Sequence, residues 1–132
     1  MESKVRLTLS NEEFARRRRQ LFERLSAGAA GGARSGAGSR DDMDGRGDAD
    51  AVVLFLPHNV SCFAKFRFMV TERPIALVLT PEGAALLVPR LEKEHAEALA
   101  LVDDVVVYPE YPDARHPMDY LRDVLLARGL AQ

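Results

Sequence analysis

A chain of 132 residues with 47% hydrophobic residues has the size and composition of one ordinary globular domain, and it is too short for two full domains. Its net charge of −2 gives no electrostatic case for nucleic acid or an anionic membrane as the main partner. No window approaches the roughly 18 apolar residues needed to cross a bilayer, and the single cysteine, Cys62, cannot form an internal disulfide. We therefore expect a cytoplasmic protein with a single domain over residues 1–132.

The first predicted element is a helix that begins after Ser10. Ser10 and Glu13 have the spacing of a capping box, in which the hydroxyl accepts from the Glu13 amide and the carboxylate reaches back. The cationic run 16–19 circles a full helical turn, which favours a solvated helix surface over a nucleic-acid patch. We expect the helix to end near Ser26, with one apolar face formed by Phe14, Leu21, Phe22 and Leu25.

Residues 27–50 differ in composition from the rest of the chain. They consist of Gly, Ala, Ser, Arg and Asp, with Met43 as the one large apolar residue. Such a segment cannot bury enough surface to offset its ordering entropy. We predict a flexible, low-complexity insertion in the domain.

Apolar runs predict four strands. Residues 51–56 form a continuous apolar run closed by Pro57, which is typical of a strand buried on both faces and predicts the central strand. Residues 74–79 and 84–88 are joined by Thr80-Pro81-Glu82-Gly83, a turn sequence that predicts a hairpin. Residues 105–108 form the fourth predicted strand.

Two further helices complete the prediction. Residues 90–101 indicate a helix with Leu91, Ala98 and Leu99 facing inward. The last helix is expected to begin at Pro117 and to end at Gly129. The order of elements predicts an α/β fold in which a mixed β-sheet is covered by helices.

Residues with metal-binding or nucleophilic chemistry are scattered along the chain. None of the histidines, His58, His95 and His116, has a partner at the spacing of a zinc site. Cys62 follows His58 by four residues, yet a nucleophile needs a base held by a third group, and none is evident. We interpret Cys62 as a small packed thiol.

The segment 58–73 combines aromatic and cationic residues between two predicted strands. Phe63, Phe66 and Phe68 alternate there with Lys65 and arginines. Aromatic residues in a connection either close the end of the sheet or form a binding surface. Both interpretations stay open at this point.

Short motifs in this order resemble the N-terminal domain of creatinase, proline dipeptidase and aminopeptidase P. They are Asn-Val-x-x-Phe-x-x-Phe at 59–66, Glu-Arg-Pro at 72–74, Thr-Pro-Glu-Gly at 80–83 and Leu-Leu-Val-Pro at 86–89. The resemblance covers roughly residues 10–128 apart from the insertion, and it implies a sheet with a ribonuclease H-like motif. Where the family pattern reads Asn-x-x-Tyr-Leu-Thr-Gly-Phe, this chain has Cys62, Phe63, Ala64 and Lys65 in place of Tyr, Leu, Thr and Gly.

The resemblance implies that this chain alone is not an enzyme. The chemistry of the family is metal-assisted hydrolysis in a C-terminal pita-bread domain, where carboxylates and a histidine hold two divalent metal ions. The 132 residues of this chain contain none of that domain, so we expect no catalytic residue and no cofactor on the chain. The family domain normally continues with another strand after the helix that ends near Gly129, which implies either a truncated domain or a fragment of a longer gene.

The resemblance also implies a homodimer in which each N-terminal domain lends residues to the active-site mouth of its partner. In creatinase an arginine just before the second strand does this, and Arg73 matches its position. We expect Arg73, Phe63, Phe66 and Asn59 to bind substrate in this way, next to a catalytic domain in cis or in the partner subunit. The leading hypothesis is a dimerisation and substrate-access domain of a Xaa-Pro dipeptidase-like metallopeptidase, and the alternative is a free-standing binding or regulatory module.

Overall fold

The computed structural model describes residues 9–30, 49–109 and 115–130. Within them a four-stranded sheet is covered by helices on both faces. The elements in chain order are α1 (Asn11–Ala30), β1 (Val52–Leu54), α2 (Pro57–Ala64), β2 (Ala76–Leu79), β3 (Ala84–Pro89), a 3₁₀ turn (Arg90–Glu92), α3 (Lys93–Leu99), β4 (Asp104–Tyr108) and α4 (Pro117–Ala127).

The sheet is mixed, as the sequence predicted. Its strand order is β1-β2-β3-β4, with β2 antiparallel to both β1 and β3. The predicted hairpin is confirmed, since the backbone N–H of Thr80 donates to the carbonyl of Gly83 at 2.8 Å. β4 runs parallel to β3, and α3 supplies the crossover that a parallel pair requires.

β1 lies at an edge of the described sheet, so the prediction that it is the central strand was wrong. β2 and β3 are the inner strands, and all of their residues are buried. Val52 and Leu54 pack against the cluster on one face of the sheet, while Val53 packs against the cluster on the other face. Both faces of β1 are therefore covered by side chains. This coverage explains the apolar run, although β1 pairs with a strand on one side only in the described sheet.

Two hydrophobic clusters hold the sheet between the helices. The larger cluster includes Val60 and Ala64 of α2, Ala96 of α3 and, at its border, Leu21 of α1. The second cluster packs α4 on the opposite face of the sheet. α4 begins at Pro117, and Gly129 follows it with a φ of +70°, so both predicted ends are confirmed.

α1 begins where the capping residues predicted and ends later than expected. The backbone N–H of Glu13 donates to the Ser10 hydroxyl at 3.3 Å, whereas the Glu13 carboxylate accepts from Arg16 and Arg17 instead of reaching back. The hydrogen bond from Arg16 is the main cause that lowers the pKa of Glu13 from its ordinary value of 4.5. The helix extends to Ala30, past the expected end near Ser26, and residues 31–48 of the predicted insertion lie outside the described residues.

The inward face predicted for residues 90–101 was wrong. Leu91 and Leu99 are exposed, and Ala96 is the buried residue of α3. The segment opens with a 3₁₀ turn, which has 3.0 residues per turn rather than 3.6. The tighter turn shifts the phase of the following helix, so an α-helical period drawn from residue 90 selects the wrong face.

α2 ends at a residue with an unusual backbone conformation. Lys65 has a φ of 56° and a ψ of 26°, in the left-handed region, and its N–H donates to the carbonyl of Ser61. The resembled family has glycine at this position, and glycine adopts a positive φ without a Cβ clash. The turn is therefore kept here with a lysine in the place of glycine.

Candidate functional site

The first candidate site is the end of the sheet at which β2 begins, because Arg73 precedes that strand. The pairing of the strands places the carboxyl ends of β1, β3 and β4 together with the start of β2. The Tyr108 hydroxyl, at the end of β4, donates to the Pro74 carbonyl at 2.7 Å. In open α/β sheets ligands bind outside the carboxyl ends of strands, which makes this end, with Arg73 beside it, the first candidate site.

Arg73 is partly buried, and its backbone is held by a local contact. Its N–H donates to the Thr71 hydroxyl at 3.1 Å, and Pro74 follows it. A residue before proline is biased to an extended conformation. Arg73 therefore directly precedes Pro74, the residue whose carbonyl accepts the hydrogen bond from Tyr108 at the end of β4.

The other three predicted site residues lie in different environments. Asn59 is partly buried near the start of α2, at the carboxyl end of β1. Phe63 packs at the border of the larger cluster and lines a groove with residues of α1. Phe66 is fully buried, with its ring centroid 4.7 Å from that of His95, so a substrate contact would require the ring to leave the core.

Exposed apolar side chains flank this end of the sheet, and sequence reasoning did not single them out. Phe55 and Leu56 follow β1, while Met69 and Val70 belong to the segment that leads to β2. Met69 is 86% exposed and Leu56 is 64% exposed. We call these four residues the apolar rim. Their signal in the sequence was weak, because single exposed apolar residues are common on any protein surface.

A second candidate site is a groove on the helical face, here called the helix groove. It has a volume of about 760 Å³ and is bordered by α1, α2, α3 and the segment after α2. Arg17 lines the groove and connects two of its walls. Its guanidinium donates to the Cys62 carbonyl at 2.9 Å and lies 5.2 Å from the ring centroid of Phe14. The run 16–19 is therefore not uniformly solvated, since Arg17 joins α1 to α2.

Cys62 and the histidines take part in separate local contacts. A guanidinium nitrogen of Arg17 lies 3.6 Å from the Cys62 sulfur. His95 pairs with Glu92 at 2.8 Å, and the Nδ1 atom of His116 accepts from the Met118 amide at the start of α4. In the part of the chain that the structure describes, no three His, Cys, Asp or Glu residues lie close enough together to hold a metal ion.

The helices give no indication of a membrane span. Among the residues at 9–30, 49–109 and 115–130, no helix is both long and apolar enough to cross a bilayer.

Comparison with known proteins identifies the class of domain that this fold and sheet end define. The model of the family described as Creatinase/Prolidase N-terminal domain matches residues 39–129. The chain belongs to this family, and the resemblance seen in its motifs is confirmed. A search of curated proteins found no match.

Solved structures show the same fold at low sequence identity. A proline dipeptidase from Streptococcus pneumoniae TIGR4 is 21% identical with a TM-score of 0.56, over 82% of this chain and 64% of that chain. A Creatine_N superfamily domain of a dipeptidase from Streptococcus thermophilus is 19% identical with a TM-score of 0.54, over 88% and 67% of the two chains. A Xaa-Pro aminopeptidase from Streptococcus pyogenes is 11% identical with a TM-score of 0.58, over 92% and 71%. The chain thus spans under two thirds of the length of the first of these structures.

Proposed function

We propose that this chain is the non-catalytic N-terminal domain of a cytoplasmic, Xaa-Pro dipeptidase-like metallopeptidase. Membership of the Creatinase/Prolidase N-terminal domain family supports this proposal. So does the likeness of the fold to a domain of a dipeptidase. The catalytic domain, in cis or in a partner subunit, would hold the two divalent metal ions and carry out the hydrolysis.

The observation that carries the proposal is the apolar rim, two of whose members, Met69 and Val70, precede Arg73 in the same connection. Large apolar side chains exposed in two segments at one end of a sheet are typical of a surface that another domain or subunit covers. A homodimer that covers the rim would bring Arg73 to the border between the two chains. There its guanidinium can bind a substrate carboxylate with two parallel hydrogen bonds, which an ammonium group cannot form.

Sedimentation velocity tests the dimer directly. We expect the purified chain to self-associate, and the double substitution of Met69→Asp with Val70→Asp to shift it to monomer. The matched control is Leu126→Asp, because Leu126 is also exposed but lies on α4, outside the apolar rim. A chain that stays monomeric at high micromolar concentration contradicts the proposed dimer.

Arg73→Lys tests the role in substrate binding, in the enzyme that carries this domain. We expect an almost unchanged melting temperature and a kcat/KM lower by about tenfold, which is ~1.4 kcal/mol of lost transition-state stabilisation. Arg67→Lys is the control, because Arg67 is an exposed arginine of the same connection. Unchanged kinetics in a folded dimer would leave Arg73 with a structural role only.

Peptidase assays test whether the chain alone is inactive. We expect no cleavage of Xaa-Pro dipeptides by the purified chain after addition of Mn²⁺, Co²⁺ or Zn²⁺. Hydrolysis requires ligands that hold the metal and activate water, and the described residues contain no such cluster. Metal-dependent cleavage by a contaminant-free sample would contradict the assignment.

A free-standing binding or regulatory module of the same fold is the second candidate function. The helix groove favours it, because a groove of this size can take a ligand without a second domain. The two functions differ in the size of the native polypeptide. An immunoblot of source cells that detects a polypeptide well above 14.6 kDa supports the peptidase, and a band at that mass supports the module.

A further inference from the structure

The helix groove is cationic in a protein that is acidic as a whole. Arg17, Lys65 and Arg67 line it together with His58 and His95, and its lining contains no aspartate or glutamate. The full chain has a net charge of −2. The positive side chains at this groove therefore create a local potential opposite to that of the average surface, and such a groove attracts anions.

The cations of the groove differ in whether the fold already neutralises them. Glu13 forms an ion pair with Arg17 at 3.2 Å. Lys65 and Arg67 are exposed, and neither forms an ion pair with any carboxylate among the described residues. The positive charge available to a ligand is therefore concentrated in the short segment that follows α2.

The backbone places Lys65 there at a conformational cost. Its left-handed φ is a conformation that favours glycine. Strained residues of this kind cluster at sites of ligand binding. A lysine that holds this turn presents a positive charge at the groove, which a glycine would not supply.

Apolar residues of the groove indicate the kind of anion. Leu9 and Leu99 line it, and both side chains are about half exposed. A small anion such as phosphate would use the cations and leave both leucines in water. A peptide with acidic and apolar side chains in alternation would bind the cations and cover the leucines as well.

We propose that the helix groove binds a peptide segment of a partner protein that carries acidic side chains interspersed with apolar ones. The cationic side chains Lys65 and Arg67 bind its carboxylates, and Leu9 and Leu99 contact its apolar residues. This interaction needs neither the dimer nor a catalytic domain, so it is independent of the peptidase function proposed above.

Fluorescence anisotropy with the full chain tests this binding. The probe is a labelled peptide of alternating Glu and Leu, and the control probe has Lys in place of each Glu. We expect saturable binding of the acidic peptide alone, with an affinity that falls as salt is raised. The combined substitution of Lys65→Gly and Arg67→Gln should weaken binding by about tenfold or more.

Matched controls separate the groove from general charge effects. Arg122→Gln removes an exposed positive charge on α4, on the opposite face of the sheet, and should leave the affinity unchanged. Thermal melts establish that each variant is folded, and Lys65→Gly suits the backbone of the turn.

Three results would overturn the proposal. They are equal affinity for the acidic and basic peptides, equal affinity of the parent chain and the double variant, and complete displacement of the peptide by millimolar inorganic phosphate. The last result would identify the groove as a small-anion site.

Discussion

Replacing Lys65 by glycine should make the folded chain more stable, although it removes a side chain. The left-handed conformation costs a residue with a Cβ about 1–2 kcal/mol of conformational free energy, and Lys65 adopts that conformation with a φ of 56°. Glycine relieves this strain but gives the unfolded chain more freedom, which offsets about 0.5–1 kcal/mol. We expect a net increase of about 0.5–1 kcal/mol in the free energy of unfolding, or roughly 2–4 °C in Tm for a chain of this length.

Chemical and thermal unfolding followed by circular dichroism measures this difference. The control is Lys65→Ala, which removes the same charge and retains the Cβ, so the strain remains. We expect the stability of Lys65→Ala to stay within about 0.5 kcal/mol of the parent chain. The reasoning is refuted if the glycine variant is no more stable than the parent, or if alanine stabilises the chain as much as glycine does.

Three further substitutions test other parts of the fold. Phe66→Ala should lower the free energy of unfolding by about 3–5 kcal/mol, because the ring is fully buried; a loss below about 1 kcal/mol would exclude a core role. Gly83→Ala should lower the free energy of unfolding by about 1–3 kcal/mol. A Cβ at this position displaces the Asp103 carboxylate, which accepts a hydrogen bond of 2.6 Å from the amide of Ala84. The same change should have little further effect in an Asp103→Ala background, and additive losses would refute the mechanism. The pKa of Glu13 is lowered in the folded chain, mainly by the hydrogen bond from Arg16. Ionised Glu13 therefore stabilises the folded chain above pH 4.5, the ordinary pKa of the group. This stabilisation is lost as pH falls through the pKa of Glu13 in the folded chain. Glu13→Gln should therefore reduce the acid-induced fall of Tm in that window, and an identical pH profile would contradict this.

Signals that depend on a few neighbouring residues predicted the type and order of most elements. The exception is α2 (Pro57–Ala64), which was treated as part of a connection between two strands. The Ser10 cap, the Thr80–Gly83 turn and the Pro117 start each act over at most four positions. The continuous apolar runs identified the strands for a similar reason, since a strand covered on both faces needs apolar side chains at successive positions. Family membership was also predictable, because it rested on short motifs in a set order.

The candidate site was predictable only in part. Arg73 was singled out because it matches the position of a creatinase arginine just before the second strand. In the structure it directly precedes Pro74, whose carbonyl accepts from the Tyr108 hydroxyl at the end of β4. The burial of Phe66 was not predictable, because aromatic residues in a connection fit both a core and a binding surface. The helix groove was missed, because its lining residues come from elements far apart in the chain.

The sequence by itself therefore determined the α/β class and the mixed sheet, which follow from local propensity and from apolar patterns along the chain. It also determined the family, which follows from short motifs in a set order. The tertiary structure alone decided that β1 lies at an edge of the described sheet, that Phe66 fills the core and that Arg17 joins α1 to Cys62 across 45 positions. An apolar pattern records which faces of a strand are covered, but not how many strands pair with it. Contacts across such distances arise when packing brings segments together, and no periodicity within either segment encodes them.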